Sequence, residues 1–570
     1  MQWQIQSQLT KKSPSERKEE VIKILLRNRG LKSPKNVREF LKPRHPQAIT
    51  LTEVGINKRE LKKAITRIRK AIKAKELIIV YGDYDADGVC AAAILWEALF
   101  SAGANVLPFI PDRETHGYGL SIKGIDAILK NPSLYALRST PTLIMTVDNG
   151  IVAESGVDYA KKKGIDVVIC DHHEKSKHLP KALAIIHTTK LAGSGVSWIF
   201  ARELLTELTP KLPHRSSLDL ATIGTVADMV PLLGANRAIV KEGLKELRET
   251  KRIGLRELFL EAQISPGEIN TFHINFMIAP RLNAMGRLER ATDALRLICT
   301  HNKQRAKELT ERIGDTNRKR RKLLEETLLI AKTLYANIGK SEEQLIFIDH
   351  EEFHEGIIGL IAGKMVEEFA KPTIIVSRGQ QLSKASARSV PGFNIIDRIR
   401  QFEDLLVDVG GHPMAAGFTI ETKHIQVFAR RMHQAARKHL GKKRQEKTLK
   451  VDSELAFSDI TDGLYKKIQA FEPFGMANPV PVFVTKGVFP RSLRQVGADG
   501  KHLKLVVGPD RGNQPSADHW LSAIGFGMGE QIRALEGKRT IDIAFTIETN
   551  EWNGESTLQV KLKDVKPSEE

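Results

Sequence analysis

Three aspartates spaced two apart, Asp83, Asp85 and Asp87, follow directly on the apolar run Ile78-Ile79-Val80-Tyr81. Carboxylates this close repel one another, and a fold that keeps them must protonate them or bring in a cation. Two later apolar runs end in the same way. "LIMTVDNG" delivers Asp148, and "VVICDHHE" delivers Asp171, His172, His173 and Glu174. Asp228 lies in the largely apolar "TIGTVADMVPL". Hard carboxylate oxygens together with imidazole suit Mn²⁺ or Mg²⁺, and two such ions a few ångströms apart clamp a phosphoryl group. Singly, each piece has a plainer reading. A strand-end Asp caps the next helix, paired histidines sit on the surface, and Asp228 caps the turn before Pro231. Jointly, one edge collecting all of them favours a metal centre.

That edge follows from the pattern of the elements. From residue 77, short β-rich runs ("ELIIVYG", "NVLPFIP", "PTLIMTVDNG", "DVVICDHHE", "ALAIIHTT") alternate with helical segments. Strands buried on both faces and separated by helices form a parallel sheet, and ligands sit beyond the carboxyl ends of its strands. The chain divides by composition into five parts. Residues 1–75 are basic and mostly helical, with Leu61, Ile65, Ile68 and Ile72 on one apolar stripe. Residues 76–300 carry the α/β pattern, and the proline-free stretch 301–340 reads as one long, charged connecting helix. Residues 341–442 form a second α/β domain. Residues 447–570, with short alternating runs, read as an all-β barrel of OB type.

Composition narrows the class. The chain has 570 residues, 41% hydrophobic and 27% charged, which is globular rather than disordered. No apolar run approaches the ~18 residues of a membrane span, and the N-terminus has no secretory core, so a cytoplasmic protein without membrane attachment is expected. The 3 cysteines lack CxxC or Cys/His spacing, which suits a reducing compartment and argues against structural zinc. A formal net charge of +20 points to an anionic partner.

"DYDADG", "VDNG", "DHHE" and "ADMVPL", in that order, resemble the four motifs of the DHH phosphoesterase superfamily, and "GGHPMAAGF" (410–418) resembles its associated second domain. "APRLNAMGRL" (279–288), "FHEGIIGLIAGKM" (353–365), "ASARSVPGFNI" (385–395) and "FEPFGMANPVPVF" (471–483) are similar to one branch, the RecJ single-strand exonucleases. The resemblance covers most of residues 77–483. It implies a single-stranded-DNA-specific 5′→3′ exonuclease with two divalent ions, Mn²⁺ or Mg²⁺, held by Asp83, Asp85, Asp87, Asp148, His172 and Asp228. His173 is similar to the family's second histidine, placed to touch the scissile phosphate. Asp85, Asp148, His172 and His173 form the implied catalytic set. Whether one ion has an all-oxygen environment stays open, because Tyr81 and Asp83 stand where pyrophosphatase relatives place a histidine.

The resemblance also implies a pocket for a terminal 5′ phosphate, matched by Arg113, Ser386 and Arg388; guanidinium forks suit a phosphate. Arg281, Asn283 and Arg287 line the strand path or brace the domain junction, and His412, in a Gly-rich loop, contacts a phosphate. In the barrel, Phe474, Lys501, His502 and Lys504 are candidate strand contacts. The rival substrates for the same motifs are smaller: pyrophosphate, a cyclic dinucleotide or a very short oligonucleotide. A third reading, a strand binder without chemistry, is disfavoured by the intact acidic motifs. Length and charge favour the exonuclease; the resemblance implies that it acts on single-stranded DNA with a single-strand-binding protein and a helicase in recombination and repair, and a monomer is expected.

Overall fold

The computed structural model describes residues 1–10, 13–130, 140–210, 216–337, 343–441, 447–510, 520–552 and 555–568. The catalytic sheet has five parallel strands in the order Asn105–Phe109, Leu77–Tyr81, Pro141–Val147, Asp166–Asp171, Ala184–His187. All five residues of Leu77–Tyr81 are buried. Ile78 and Val80 pack with the helices Ala86–Ser101 and Gly193–Leu208 on one face. Leu77, Ile79 and Tyr81 pack with Ile125, Ile128 and Val157 on the other. Burial on both faces explains why this strand is a continuous apolar run. The chain leaves Leu77–Tyr81 for Asn105–Phe109 on one side and returns to Pro141–Val147 on the other. The order reverses there, and a crevice opens beyond the strand ends.

The N-terminal region is shared between two cores. The Lys58–Lys73 helix buries Leu61, Ile65 and Ile68 in the catalytic core, with Ile72 packed against it. Val21, Leu25 and Phe40 instead join the core of the C-terminal barrel. Residues Gln2–Ser7 depart from the helical expectation: they form a strand that pairs in parallel with Thr448–Glu454. A partner so distant in sequence leaves no local trace. Arg237 ties these parts together. It is fully buried, donates to the carbonyls of Phe40, Phe471, Glu472 and Pro473, and lies 3.8 Å from the Phe40 ring centre.

The connecting helix, Lys303–Asn337, has 35 residues and spans about 52 Å. Residues 338–340 of the expected helix lie outside the described residues. Its Ala306, Leu309 and Ile313 pack into the catalytic core, and its Ala331 into a core of the second domain. That domain has a five-stranded sheet in the order Leu406–His412, Ala415–Glu421, Leu382–Arg388, Thr373–Ser377, Ile346–His350; its last pair is parallel and the rest antiparallel. The segment read as a Gly-rich loop is the hairpin of its first two strands.

In the C-terminal region, Phe483–Val496, His502–Pro509, Leu521–Gly525, Glu555–Pro567 and Ile541–Trp552 pair in that order, and the last closes back on the first. Closure removes the free edges of a small barrel. The all-β expectation needs amending for a helix at Asp462–Gln469, whose Leu464 and Ile468 fill the barrel core, and a short one at Ile532–Leu535, whose Leu535 joins it. Residues 442–446 of the basic linker lie outside the described residues. Among the described residues, no helix is long and apolar enough to cross a membrane, and Cys90, Cys170 and Cys299 form no disulfide.

Candidate metal centre and phosphate pocket

The carboxyl ends of three neighbouring strands supply the first donors. Asp83 follows Leu77–Tyr81, and its Oδ1 accepts the Tyr84 N–H at 2.7 Å. Asp85 caps the Ala86–Ser101 helix, accepting the Gly88 N–H at 2.9 Å. The plain capping role and the site role fall on the same residue. Asp87, in the first turn, accepts the N–H groups of Gly193 (2.7 Å) and Ser194 (3.0 Å) at the start of the Gly193–Leu208 helix. A helix N-terminus favours a carboxylate there. Asp148 follows Pro141–Val147 with φ 61°, a left-handed conformation that is rare for a non-glycine residue. His172 follows Asp166–Asp171, and its Nε2 lies 3.0 Å from Asp148 Oδ1 and 3.7 Å from Asp228 Oδ2.

These side chains meet in three overlapping groups: Asp83, Asp85 and Asp148; Asp87, His172 and Asp228; Asp148, His172 and His173. Within each group, one donor atom per residue lies within 4.8 Å of the others. Burial, with Asp85 next to it, pushes the Asp83 carboxyl up to about 8. Burial, with Asp87 next to it, pushes Asp228 up to about 8. Asp85 and Asp148 are raised by burial and by Asp87. The buried Asp148 Oδ1 has no hydrogen-bond partner, and its approach to His172 lacks hydrogen-bond geometry. Two glycines make room for this crowding. A Cβ on Gly193 would collide with Asp148 Oδ1, and one on Gly224 would collide with Asp87 Oδ1. An orphaned buried oxygen, mutually repelling carboxylates and hard donors fit divalent cations.

Next to this cluster, Asp171 orients His173. Its Oδ1 lies 2.8 Å from His173 Nδ1 and accepts the N–H groups of His172 and His173, while Oδ2 accepts the Ile151 N–H. Burial alone would lower His173, but the Asp171 bond together with the charges of Asp171, Asp83 and Asp228 outweighs it and holds the imidazole up at about 9. Burial lowers His172. The Tyr118 hydroxyl stands 3.2 Å from His173 Nε2. The reading from sequence counts Asp171 among the strand-end donors without assigning it the positioning of His173, and it does not single out Tyr118.

Arg113, Arg287 and Arg388 gather on the side of the second domain. Arg113, Arg287 and Arg290 line a cavity of about 220 Å³ together with Gly286, Gly356 and the acidic Asp112, Glu114, Glu289 and Glu355. Arg287 donates to the Gly356 carbonyl at 3.1 Å, and Arg388 to Ser386 Oγ at 3.2 Å and the Ala387 carbonyl at 2.9 Å. Arg113 lies over the Tyr84 ring, 5.6 Å from its centre. Among the described residues, none of the three is in an ion pair with a carboxylate. Burial, then Arg113, lowers Arg287 to about 10 and lowers Arg388 as well. Three guanidiniums held together and free of ion pairs can receive an anion, although Asp112, Glu114, Glu289 and Glu355 also line the cavity.

The other expected residues divide. Asn283 Oδ1 accepts the Ala86 N–H at 2.7 Å, beside the acidic cluster. Arg281 is committed elsewhere, to Glu261 at 2.6 Å and to the Met277 carbonyl, and braces its helix. His412 is exposed at a strand end. In the barrel, Phe474 packs against the core and Lys501 pairs with Asp499. Lys504 sits on the His502–Pro509 strand, and His502 meets Phe526 edge-on at 5.1 Å. Exposed Phe526, with Lys561 5.0 Å from its ring centre, and Trp520, with Arg491 at 5.0 Å, were not singled out by the sequence.

A parallel sheet that gathers carboxylates and imidazoles where its strand order reverses, joined by a long helix to a second α/β domain, defines a DHH phosphoesterase. The DHH family N-terminal domain matches residues 77–225, the DHHA1 domain residues 333–438, and the RecJ OB domain residues 451–564. The chain belongs to the RecJ family. It is 33% identical to the single-stranded-DNA-specific exonuclease RecJ of Bacillus subtilis, over 96% of this chain and 68% of that one. It is 29% identical to the Escherichia coli protein of the same name, over 96% of each. The crystal structure of RecJ from Thermus thermophilus in complex with Mn²⁺ matches with TM-score 0.80 and 27% identity, covering 100% of this chain and 80% of that one.

Proposed function

We propose that this chain is a single-stranded-DNA-specific exonuclease that hydrolyses phosphodiester bonds in the 5′→3′ direction with two divalent cations, Mn²⁺ or Mg²⁺, in recombination and repair. One observation carries the reading. The acidic cluster and the arginine cluster, whose guanidiniums are in no ion pair among the described residues, are joined by a single helix, Ala279–Leu288, which offers Asn283 to one and Arg287 to the other.

Divalent cations, when bound, neutralise the carboxylates, polarise phosphoryl oxygens and acidify water. Asp83, Asp85 and Asp148 would hold one, and Asp87, His172 and Asp228 the other; the first set is all oxygen. Asp148, 3.0 Å from His172 of the second set, lies beside both. His173, fixed through Nδ1 by Asp171, contacts the scissile phosphate and holds a proton at Nε2. Arg113, Ser386 and Arg388 read the terminal 5′ phosphate, Arg287 and Asn283 guide the strand between the two sites, and His412 contacts a phosphate from the second domain. Two barrel aromatics, exposed Phe526 and half-buried Trp520, stack on bases further along.

The working units are 1–75, 76–300, 301–340, 341–442 and 447–570, in a cytoplasmic monomer that acts with a single-strand-binding protein and a helicase. The test gives purified protein and Mn²⁺ or Mg²⁺ to single strands labelled at either end, to duplex DNA and to pyrophosphate. Single strands are expected to shorten from the 5′ end. Digestion from the 3′ end, or pyrophosphate as the sole substrate, overturns the reading.

A further inference from the structure

Phe272 and Phe276 are 54% and 68% exposed, with ring centres 4.8 Å apart and planes tilted by 34°. Their exposure is not a failure to pack. Ile274 and Ile278 of the same segment are fully buried, and the segment rests against the Leu218–Ala227 helix that ends at Asp228. The two rings are therefore the outward face of a helix whose inward face is anchored.

Two relationships tie that face to the site. The path runs through a π turn, Ile274–Ile278, into the α-helix Ala279–Leu288, on which residues 280, 283 and 287 share one side. That side already carries Asn283 at the acidic cluster and Arg287 at the arginine pocket. With a rise of about 1.5 Å per residue in the α-helix and a shorter one in the π turn, Phe276 stands roughly 15 Å along the path from Arg287. Second, Thr271 Oγ1 donates to the Phe474 carbonyl at 2.6 Å, and the Leu232 N–H donates to the Met476 carbonyl at 2.9 Å. Phe272 and the exposed Met229, which follows Asp228, thus flank one loop whose own Met476 is exposed.

We infer that Phe272 and Phe276 form a stacking platform for bases of the uncleaved strand, a few nucleotides beyond the end held at the arginine pocket. This rests on the exonuclease reading above. Every base has a π face, so such a platform grips the strand without reading its sequence. It also explains why a pair of aromatic rings is left open beside a polyanion site instead of being buried.

The test compares wild type with F272A/F276A and F272Y/F276Y. Cleavage with Mn²⁺ is measured on a 5′-phosphorylated dinucleotide and a 20-mer. Stacking is read separately, in an Asp85→Asn background that suppresses cleavage, by the fluorescence of 2-aminopurine placed at successive positions of the 20-mer. The alanine pair is expected to lower the preference for the 20-mer roughly 5- to 100-fold, at the scale of one or two lost stacks. It should also abolish 2-aminopurine quenching at one or two adjacent positions, and the tyrosine pair should restore both. An unchanged preference with unchanged quenching overturns the platform, as does a quenching pattern that the tyrosine pair fails to restore. If wild type cleaves neither substrate, the exonuclease reading fails, and the quenching pattern alone decides whether the rings stack on bases.

Discussion

His172 Nε2 and Asp148 Oδ1 stand 3.0 Å apart, delivered by the ends of two neighbouring parallel strands whose register pairs Val147 with Cys170. Around that contact lie four further carboxylates, two of them accepting N–H groups at helix starts. The sheet fixes the positions of charges that repel one another, so their preferred neutral state is ligation.

Removing one of these donors should stop chemistry without unfolding the protein. Asp148→Ala or Asp85→Ala is expected to lower cleavage of single strands by on the order of 10²–10³-fold or more, the scale of losing a transition-state stabiliser. Filter binding of the same strand at low salt should change little, because phosphate contacts lie elsewhere.

The glycine cradle makes a second prediction. Gly193→Ala and Gly224→Ala each place a methyl group against a carboxylate of the cluster. Mn²⁺ affinity by calorimetry is expected to fall about 10- to 100-fold, as for displaced metal-site supports. Gly267→Ala, which meets nothing within 4 Å, is the control.

Arg388 should act on the strand end alone. Arg388→Ala is expected to lower the preference for a 5′-phosphorylated over a 5′-hydroxyl strand about 10-fold or more, the scale of a lost charged hydrogen bond. Arg388→Lys should restore little, since an ammonium lacks the fork that grips two phosphate oxygens. The measurement is the ratio of initial rates on the two strands.

Much of this was legible because the chemistry is local in sequence. Each acidic motif follows its own apolar run, and period and length alone identify parallel strands whose ends share an edge. What sequence did not carry is whatever depends on a distant partner. The Gln2–Ser7 strand exists because Thr448–Glu454 pairs with it. Arg281 reads like its neighbours Asn283 and Arg287, yet Glu261 claims its guanidinium. Gly193 and Gly224 matter only through carboxylates from other segments. Phe272 and Phe276 look like core residues until the burial of Ile274 and Ile278 turns them outward.

The metal-free protein should lose stability as pH rises. Asp83 and Asp228 are held up at about 8, so between the ordinary carboxylate range and pH 8 the folded state binds more protons than the unfolded one. His173, held at about 9, adds to the same trend above its ordinary 6.5. His172, lowered by burial, acts in the opposite sense only below about 6.5. In EDTA the melting temperature is expected to fall between about pH 6.5 and 8, and added Mn²⁺ should raise it more at pH 8 than at 6.5. A melting temperature that rises across this window would contradict the assignment of these shifts.

The two-cation centre itself is tested most directly by anomalous diffraction from crystals grown with Mn²⁺. Two peaks are expected, one among Asp83, Asp85 and Asp148 and one among Asp87, His172 and Asp228, both absent in Asp148→Ala. A single peak, or two peaks away from these side chains, would contradict it.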